Sequence, residues 1–118
     1  MGHTDNKAIG KIGEDLAAKY LADKGYQIIK RNWGSKWGEI DIIAQNKNTL
    51  VFVEVKTKVG EDWGSPEAMV DKRKLFQVQR IAQLYNPSEQ SQRRIDVLAV
   101  VLNEDLTVKR LNHYEAVY

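Results

Sequence analysis

Residues 38–56, with the sequence GEIDIIAQNKNTLVFVEVK, constrain the fold more than any other segment because they predict a β-hairpin. The apolar runs EIDIIAQ and TLVFVEVKT are typical of strands, and the NKN between them is typical of a turn. An even-numbered loop at this turn pairs Gln45 with Leu50. Counting outward from that pair places Asp41 opposite Glu54, with Cβ atoms about 4.5–5.5 Å apart.

Because side chains alternate across a strand, this register divides the hairpin into an apolar face and a face that carries charge. The apolar face contains Ile40, Ile42, Ala44, Val51, Val53 and Val55. The other face contains Glu39, Asp41, Ile43, Glu54 and Lys56. We therefore expect the first face to be buried and the charged side chains to share the second.

Two carboxylates directly opposite each other destabilise a hairpin unless one holds a proton or a cation lies between them. Hard divalent cations such as Mg²⁺ prefer oxygen ligands and commonly use one or two carboxylates together with substrate phosphates. Asp41 and Glu54 are therefore candidate ligands of Mg²⁺ or Mn²⁺. The Lys56 ammonium beside them could orient a water or stabilise charge on a phosphoryl oxygen. A solvated cluster, with Lys56 paired to Glu39 or Glu54, fits the same pattern.

The rest of the chain predicts an α/β fold in which helices flank a mixed β-sheet. Apolar residues recur at helical spacing over residues 8–24, and Gly25 marks the helix end. A second helix is expected from Ser65 to about Tyr85, with a break near Asp71. The runs YQIIKRNW, RIDVLAVVL and TVKRLNHY predict further strands. The predicted order is α-β-β-β-α-β-β.

The length and composition of the chain limit both its class and the kinds of site that it can contain. The 118 residues fit one domain spanning residues 1–118, and 42% hydrophobic with 29% charged residues is ordinary for a globular chain. The absence of cysteine excludes disulfides, thiolate zinc sites and cysteine nucleophiles. No segment approaches the length of a membrane span, so we expect a cytoplasmic protein with no membrane association.

The second helix carries a ridge of basic residues opposite its apolar stripe. Lys72, Arg73 and Arg80 belong to this ridge. Arginine and lysine contact phosphates without sequence preference, so these residues are candidates for nucleic-acid binding. A solvated polar helix face would show the same pattern. The net charge of +2 permits a polyanionic partner without arguing for one.

Five blocks of the sequence together resemble the YraN-type uncharacterised bacterial family. The blocks are GKIGEDLAAKYLADKGYQIIKRNW, GEIDII, FVEVKT, WGSPEAMVDKRK and RRIDVLAV. That family is grouped with the restriction-endonuclease-like nucleases, whose signature is an Asp on one strand and Glu-x-Lys on the next, and is similar to archaeal Holliday-junction resolvases. The resemblance implies a restriction-endonuclease-like fold, with Asp41 and Glu54 as metal ligands and Lys56 as the catalytic lysine. It also implies that Glu14 assists, although an exposed helix Glu is the alternative.

The activity implied by this resemblance is metal-dependent hydrolysis of phosphodiester bonds in DNA, on a branched substrate. A homodimer is a further hypothesis, because junctions are symmetric and a small domain presents one site. Two alternatives keep the same fold. One is a non-catalytic nucleic-acid-binding or adaptor domain, and the other is a domain that binds only proteins.

Overall fold

The computed structural model describes residues 6–36, 38–62, 64–85 and 92–117. Its elements in chain order are α1 (Asn6–Asp23), β1 (Gln27–Ser35), β2 (Gly38–Asn46), β3 (Thr49–Val59), a 3₁₀ turn (Pro66–Met69), α2 (Lys72–Leu84), β4 (Gln92–Leu102) and β5 (Val108–Tyr114). The predicted element order and the α/β class are therefore confirmed. Within the described ranges, no helix has both the length and the apolarity needed to cross a membrane.

The five described strands form a mixed sheet in the order β1-β2-β3-β4-β5. β3 and β4 run parallel, whereas the other neighbouring pairs are antiparallel. A parallel pair cannot be joined by a tight turn, so the chain needs a crossover between β3 and β4. The 3₁₀ turn and α2 lie within this crossover.

The two helices pack on opposite faces of the sheet. The core on the α1 face includes Ala17, Leu21, Val51, Val53 and Val55. The core on the α2 face includes Leu50, Phe52, Val78 and Ile81. Because β3 is covered on both faces, its sequence is almost continuously apolar. A buried Glu54 in the same strand is therefore an exception that needs a physical reason.

The hairpin between β2 and β3 has the register that its sequence predicts. Gln45 pairs with Leu50, and the described ladder continues to the pair of Ile42 and Val53. Lys47, in the two-residue loop, has a φ of 55°, which the tight turn requires. This register brings the charged ends of the two strands to the same end of the hairpin.

One residue of the predicted apolar face is placed differently. Ile40 belongs to the core on the α2 face, whereas Ile42 belongs to the core on the α1 face. The start of β2 lies close to α2, since a Cβ at Gly38 would be 3.3 Å from Cδ1 of Ile81. The alternation of side chains between the two faces of the sheet therefore fails at this end of β2, where the strand lies close to α2.

The predicted break near Asp71 is confirmed, because two separate caps divide the helical segment. Ser65 Oγ accepts the N–H of Ala68 at 3.3 Å and begins the 3₁₀ turn. Asp71 Oδ1 accepts the N–H of Lys74 at 2.9 Å and begins α2. These are typical N-cap contacts, and the second fixes the first turn of α2.

Gly13 allows α1 to approach β3 closely. A Cβ atom at this position would lie 1.7 Å from Oγ1 of Thr57 and 2.7 Å from its Cβ. Gly10, also within α1, has open space at the corresponding position, with nothing within 4 Å. The two glycines therefore differ in packing although both are helical.

We expect Gly13→Ala to lower the free energy of unfolding by about 1–3 kcal/mol, because the added methyl group overpacks the contact with Thr57. Gly10→Ala is the matched control and should raise it by about 0.5–1 kcal/mol, since alanine favours the helix and meets nothing. Urea unfolding of both variants measures the difference. Equal effects of the two substitutions would contradict the close packing of α1 on β3.

Candidate functional site

The candidate site lies where β2 and β3 separate. Described pairs between these strands stop at Ile42 and Val53, although β2 continues beside β1 and β3 continues beside β4. Counting onward, the Val55 N–H would face the backbone of Ile40. It donates instead to Oδ2 of Asp41, at 2.8 Å. The Asp41 side chain thus replaces a backbone partner and is held at the point of separation.

Glu54 is the most deeply buried group of the site, with 1% of its surface exposed. Its Oε2 lies 3.5 Å from Nζ of Lys74, whereas its Oε1 is buried with no hydrogen-bond partner among the described residues. Burial, followed by repulsion from the Asp41 carboxylate, raises the pKa of Glu54 to about 7. An unpartnered buried carboxylate oxygen is costly and calls for a proton or a ligand.

Asp96 in β4 shows what a fully satisfied buried carboxylate looks like in the same sheet. Its Oδ1 accepts from Nε of Arg94 at 3.0 Å and from the N–H of Ala116 at 2.9 Å, and its Oδ2 lies 2.7 Å from Nε2 of His113. Burial acts to raise the pKa of Asp96, but the hydrogen bonds from His113 and Arg94 hold it below its usual range. Asp96 is therefore a structural anion, whereas Glu54 has too few hydrogen-bond partners to offset the loss of its hydration.

Burial is also the main cause of a raised pKa for Asp41. The Val55 N–H and the positive charges of Lys56 and Lys74 act in the opposite direction but do not cancel it. The Asp41 carboxylate in turn acts to raise the pKa of Glu54, although the described ladder between β2 and β3 ends one pair before these two residues. Neither is stabilised as an isolated anion, so the pair favours a shared proton or a cation.

Two lysines accompany the carboxylates. Lys56 of β3 is half-buried, and its charge lowers the pKa of both Asp41 and Glu54. Lys74, from the first turn of α2, contacts Glu54 directly. The sequence indicated Lys56 but missed Lys74 as a site residue. The sequence places Lys74 near the basic ridge of the second helix, but its direction towards Glu54 depends on how α2 packs across the sheet.

Glu14 of α1 lies at the edge of this site. Its side chain is 19% exposed, and its Oε1 is 3.7 Å from Nη2 of Arg31. Burial and then repulsion from Asp41 raise its pKa. Glu14 and Lys56 line the same cavity of about 500 Å³. The structure thus places Glu14 near the carboxylate pair rather than on an isolated exposed helix face.

The donor set fits a hard divalent cation held by two carboxylates. Asp41 and Glu54 supply oxygen donors, and Oε1 of Glu54 has no hydrogen-bond partner among the described residues. In the described part of the chain, no three acidic or histidine side chains converge as a ready-made metal site. A Mg²⁺ or Mn²⁺ ion here would therefore complete its coordination with water and phosphate oxygens, as Mg²⁺ commonly does.

The three basic residues predicted to contact nucleic acid are all exposed on α2. Arg73 and Arg80 line a groove of about 680 Å³ that also includes Lys74. Lys72 lines a neighbouring groove of about 640 Å³, which it shares with Arg73. Lys74, which lines the first groove, also contacts Glu54.

The sequence profile of Uncharacterised protein family UPF0102 matches residues 13–100 of the chain. The chain belongs to this family. The matched range spans Glu14, the carboxylate pair, Lys56 and Lys74. The resemblance to the YraN-type family that the sequence blocks indicate is therefore confirmed.

Individual UPF0102 proteins are similar to the chain over most of its length. The UPF0102 protein of Caldanaerobacter subterraneus subsp. tengcongensis is 44% identical over 117 residues, which cover 96% of each chain. A UPF0102 protein of Clostridium botulinum strain 657 is 45% identical over 105 residues, covering 86% of this chain and 85% of the relative. A Persephonella marina relative is 40% identical over 85% of this chain and 89% of its own.

The raised pKa of Glu54 predicts how stability depends on pH in the absence of metal. Between the ordinary value of 4.5 and about 7, the folded protein keeps the Glu54 proton that the unfolded chain releases. The free energy of unfolding therefore falls as pH rises through this window, by up to about 3–4 kcal/mol from this group. Below pH 4.5 the contribution is fully present, and Asp41 acts in the same direction.

Glu54→Gln isolates the effect because it removes the titrating group and keeps the shape. We expect its stability relative to the wild type to increase with pH across the window, measured by urea unfolding in the presence of a chelator. Glu104→Gln, at an exposed position, is the matched control and should follow the wild type. Parallel curves for the wild type and Glu54→Gln would show that Glu54 titrates normally.

Proposed function

We propose that this protein is a nucleic-acid-binding, divalent-metal-dependent endonuclease that hydrolyses phosphodiester bonds in DNA. The observation that carries the proposal is the buried pair of Asp41 and Glu54, whose charges repel each other and whose Glu54 Oε1 has no partner in the described protein. Such an arrangement lowers the stability of the fold, and carboxylates with perturbed pKa values are typical of functional sites.

Asp41 and Glu54 would hold a Mg²⁺ or Mn²⁺ ion. When bound, the ion supplies an activated water and neutralises charge on the scissile phosphate. Asp41 is fixed for this role by the Val55 N–H, which occupies Oδ2 and sets the direction of the carboxyl group. Glu54 is fixed by its burial in β3 and by Lys74.

The two lysines would act on the phosphate and the attacking water. Lys56 lies beside the carboxylates and lines an open cavity, so its ammonium would stabilise negative charge that develops on a phosphoryl oxygen. Lys74 would keep Glu54 ionised as the metal enters. Glu14, at the edge of the same cavity, would position water near Lys56.

The substrate is proposed to be branched DNA, on the resemblance to Holliday-junction resolvases. A homodimer would present two sites to such a symmetric substrate. Contacts to the DNA backbone are assigned to Lys72, Arg73 and Arg80, because these side chains are exposed and line the two neighbouring grooves beside α2.

A second candidate function is non-catalytic nucleic-acid binding, as an adaptor. The groove with Arg73 and Arg80 supports it, since these groups bind phosphates without any need for the carboxylate pair. Measuring DNA cleavage distinguishes the two functions, because only an endonuclease cuts DNA. A domain that binds only proteins would show neither cutting nor salt-sensitive DNA binding.

The test is cleavage of labelled linear duplex, single-stranded, flap and four-way-junction DNA with Mg²⁺ or Mn²⁺. We expect metal-dependent cutting, strongest on the junction. Asp41→Ala should abolish it, and Lys56→Ala should lower its rate about 10²–10³-fold by removing a charge that stabilises the transition state.

Lys19→Ala, at an exposed position of α1, is the matched control and should cut like the wild type. Cutting that survives in Asp41→Ala would exclude the proposed site. Salt-sensitive binding by all variants without any cutting would favour the adaptor function.

A further inference from the structure

Phe76 occupies an unusual position on α2. The helix buries Val78, Ile81 and Ala82 against the sheet, but Phe76 is 53% exposed on the polar side. Residues three and four apart are neighbours on a helix surface, so Arg73 and Arg80 flank the ring along the helix. An exposed aromatic ring between two guanidinium groups suits a ligand with both apolar and anionic parts.

The ring is accessible from two sides. Phe76 and Arg73 line both the groove of about 680 Å³ and the neighbouring groove of about 640 Å³. The first groove also includes Lys74, whose Nζ is 3.5 Å from the Glu54 carboxylate. Lys74 therefore joins the groove beside Phe76 to the Glu54 carboxylate.

We infer that Phe76 is a stacking platform for an unpaired base of a single-stranded nucleic-acid segment, with Arg73 and Arg80 binding the phosphates on either side. This inference rests on the proposed nucleic-acid binding and specifies which form of nucleic acid the groove takes. Bases in a duplex have their faces covered by neighbouring bases, whereas unpaired bases present a free face to an aromatic ring. The backbone of the same strand supplies the anionic groups that the arginines require.

A second copy of the chain fits this surface less well. A two-fold contact centred on Phe76 brings each ring to the same patch on the partner, and the flanking Arg73 and Arg80 then approach their own copies. Like charges brought together in this way oppose association. A polyanion complements the same groups.

The test is equilibrium binding of labelled single-stranded DNA, single-stranded RNA and blunt duplex DNA of mixed sequence, by fluorescence anisotropy with a chelator present so that nothing is cut. We expect the wild type to prefer one or both single strands over the duplex. Phe76→Ala should weaken single-strand binding about 5- to 150-fold, the range that loss of one stacked base gives. Duplex binding through the arginines should remain unchanged.

Two further variants sharpen the test. Phe76→Tyr keeps an aromatic face and should retain single-strand affinity. Leu84→Ala removes an equally exposed apolar side chain from the same helix, 53% exposed, and should bind like the wild type. The DNA and RNA arms show which sugar the groove accepts.

Single-strand affinity that does not depend on Phe76, or an equal loss on duplex and single strand, would overturn the inference. So would self-association that Phe76→Ala abolishes, because the ring would then be a contact between copies. If metal-dependent cleavage persists in these cases, the proposed nuclease function stands and only the stacking role fails. If the wild type binds none of the three nucleic acids, the stacking role fails, and the cleavage assay on branched DNA decides the nuclease function separately.

Discussion

Burial of the Glu54 carboxylate beside Asp41 is the constraint on which the arrangement of the site depends. β3 is buried on both faces, so a charged side chain there loses its hydration without gaining the protein partners that Asp96 has in the neighbouring strand. The observed compensation is one lysine at 3.5 Å and a pKa raised to about 7. A cation at this position would reduce the repulsion between the two carboxylates and would also give the unpartnered Oε1 of Glu54 a partner.

The buried carboxylate lies where β2 and β3 separate, so other elements can contribute groups to the site. Beyond Val53 the described pairs of β3 are with β4, and Glu14 and Lys56 line a cavity beside this part of β3. On the α2 face, the capped first turn of α2 places Lys74 beside Glu54. Lys74 also lines the groove that contains Arg73 and Arg80. The two helices thus contribute different groups to one site, with the carboxylates between them.

Local sequence patterns predict the hairpin and its charged pair because the turn and the side-chain alternation fix the register without help from the rest of the chain. They bring Asp41 near Glu54 before any packing is known. They do not predict that Ile40 joins the α2 core or that Lys74 reaches the site, since both depend on how α2 crosses the sheet. The contact of His113 with a buried carboxylate of β4 likewise arises only when β4 and β5 pair.

The most direct measurement is a calorimetric titration of Mn²⁺ into the wild type, Asp41→Asn and Asp23→Asn at a pH above 7, where both carboxylates of the pair can ionise. If the pair is a cation site, the wild type and the exposed-position control Asp23→Asn bind the ion, and Asp41→Asn does not. Absence of binding to the wild type, or binding that is the same in Asp41→Asn, would contradict a metal site at Asp41 and Glu54.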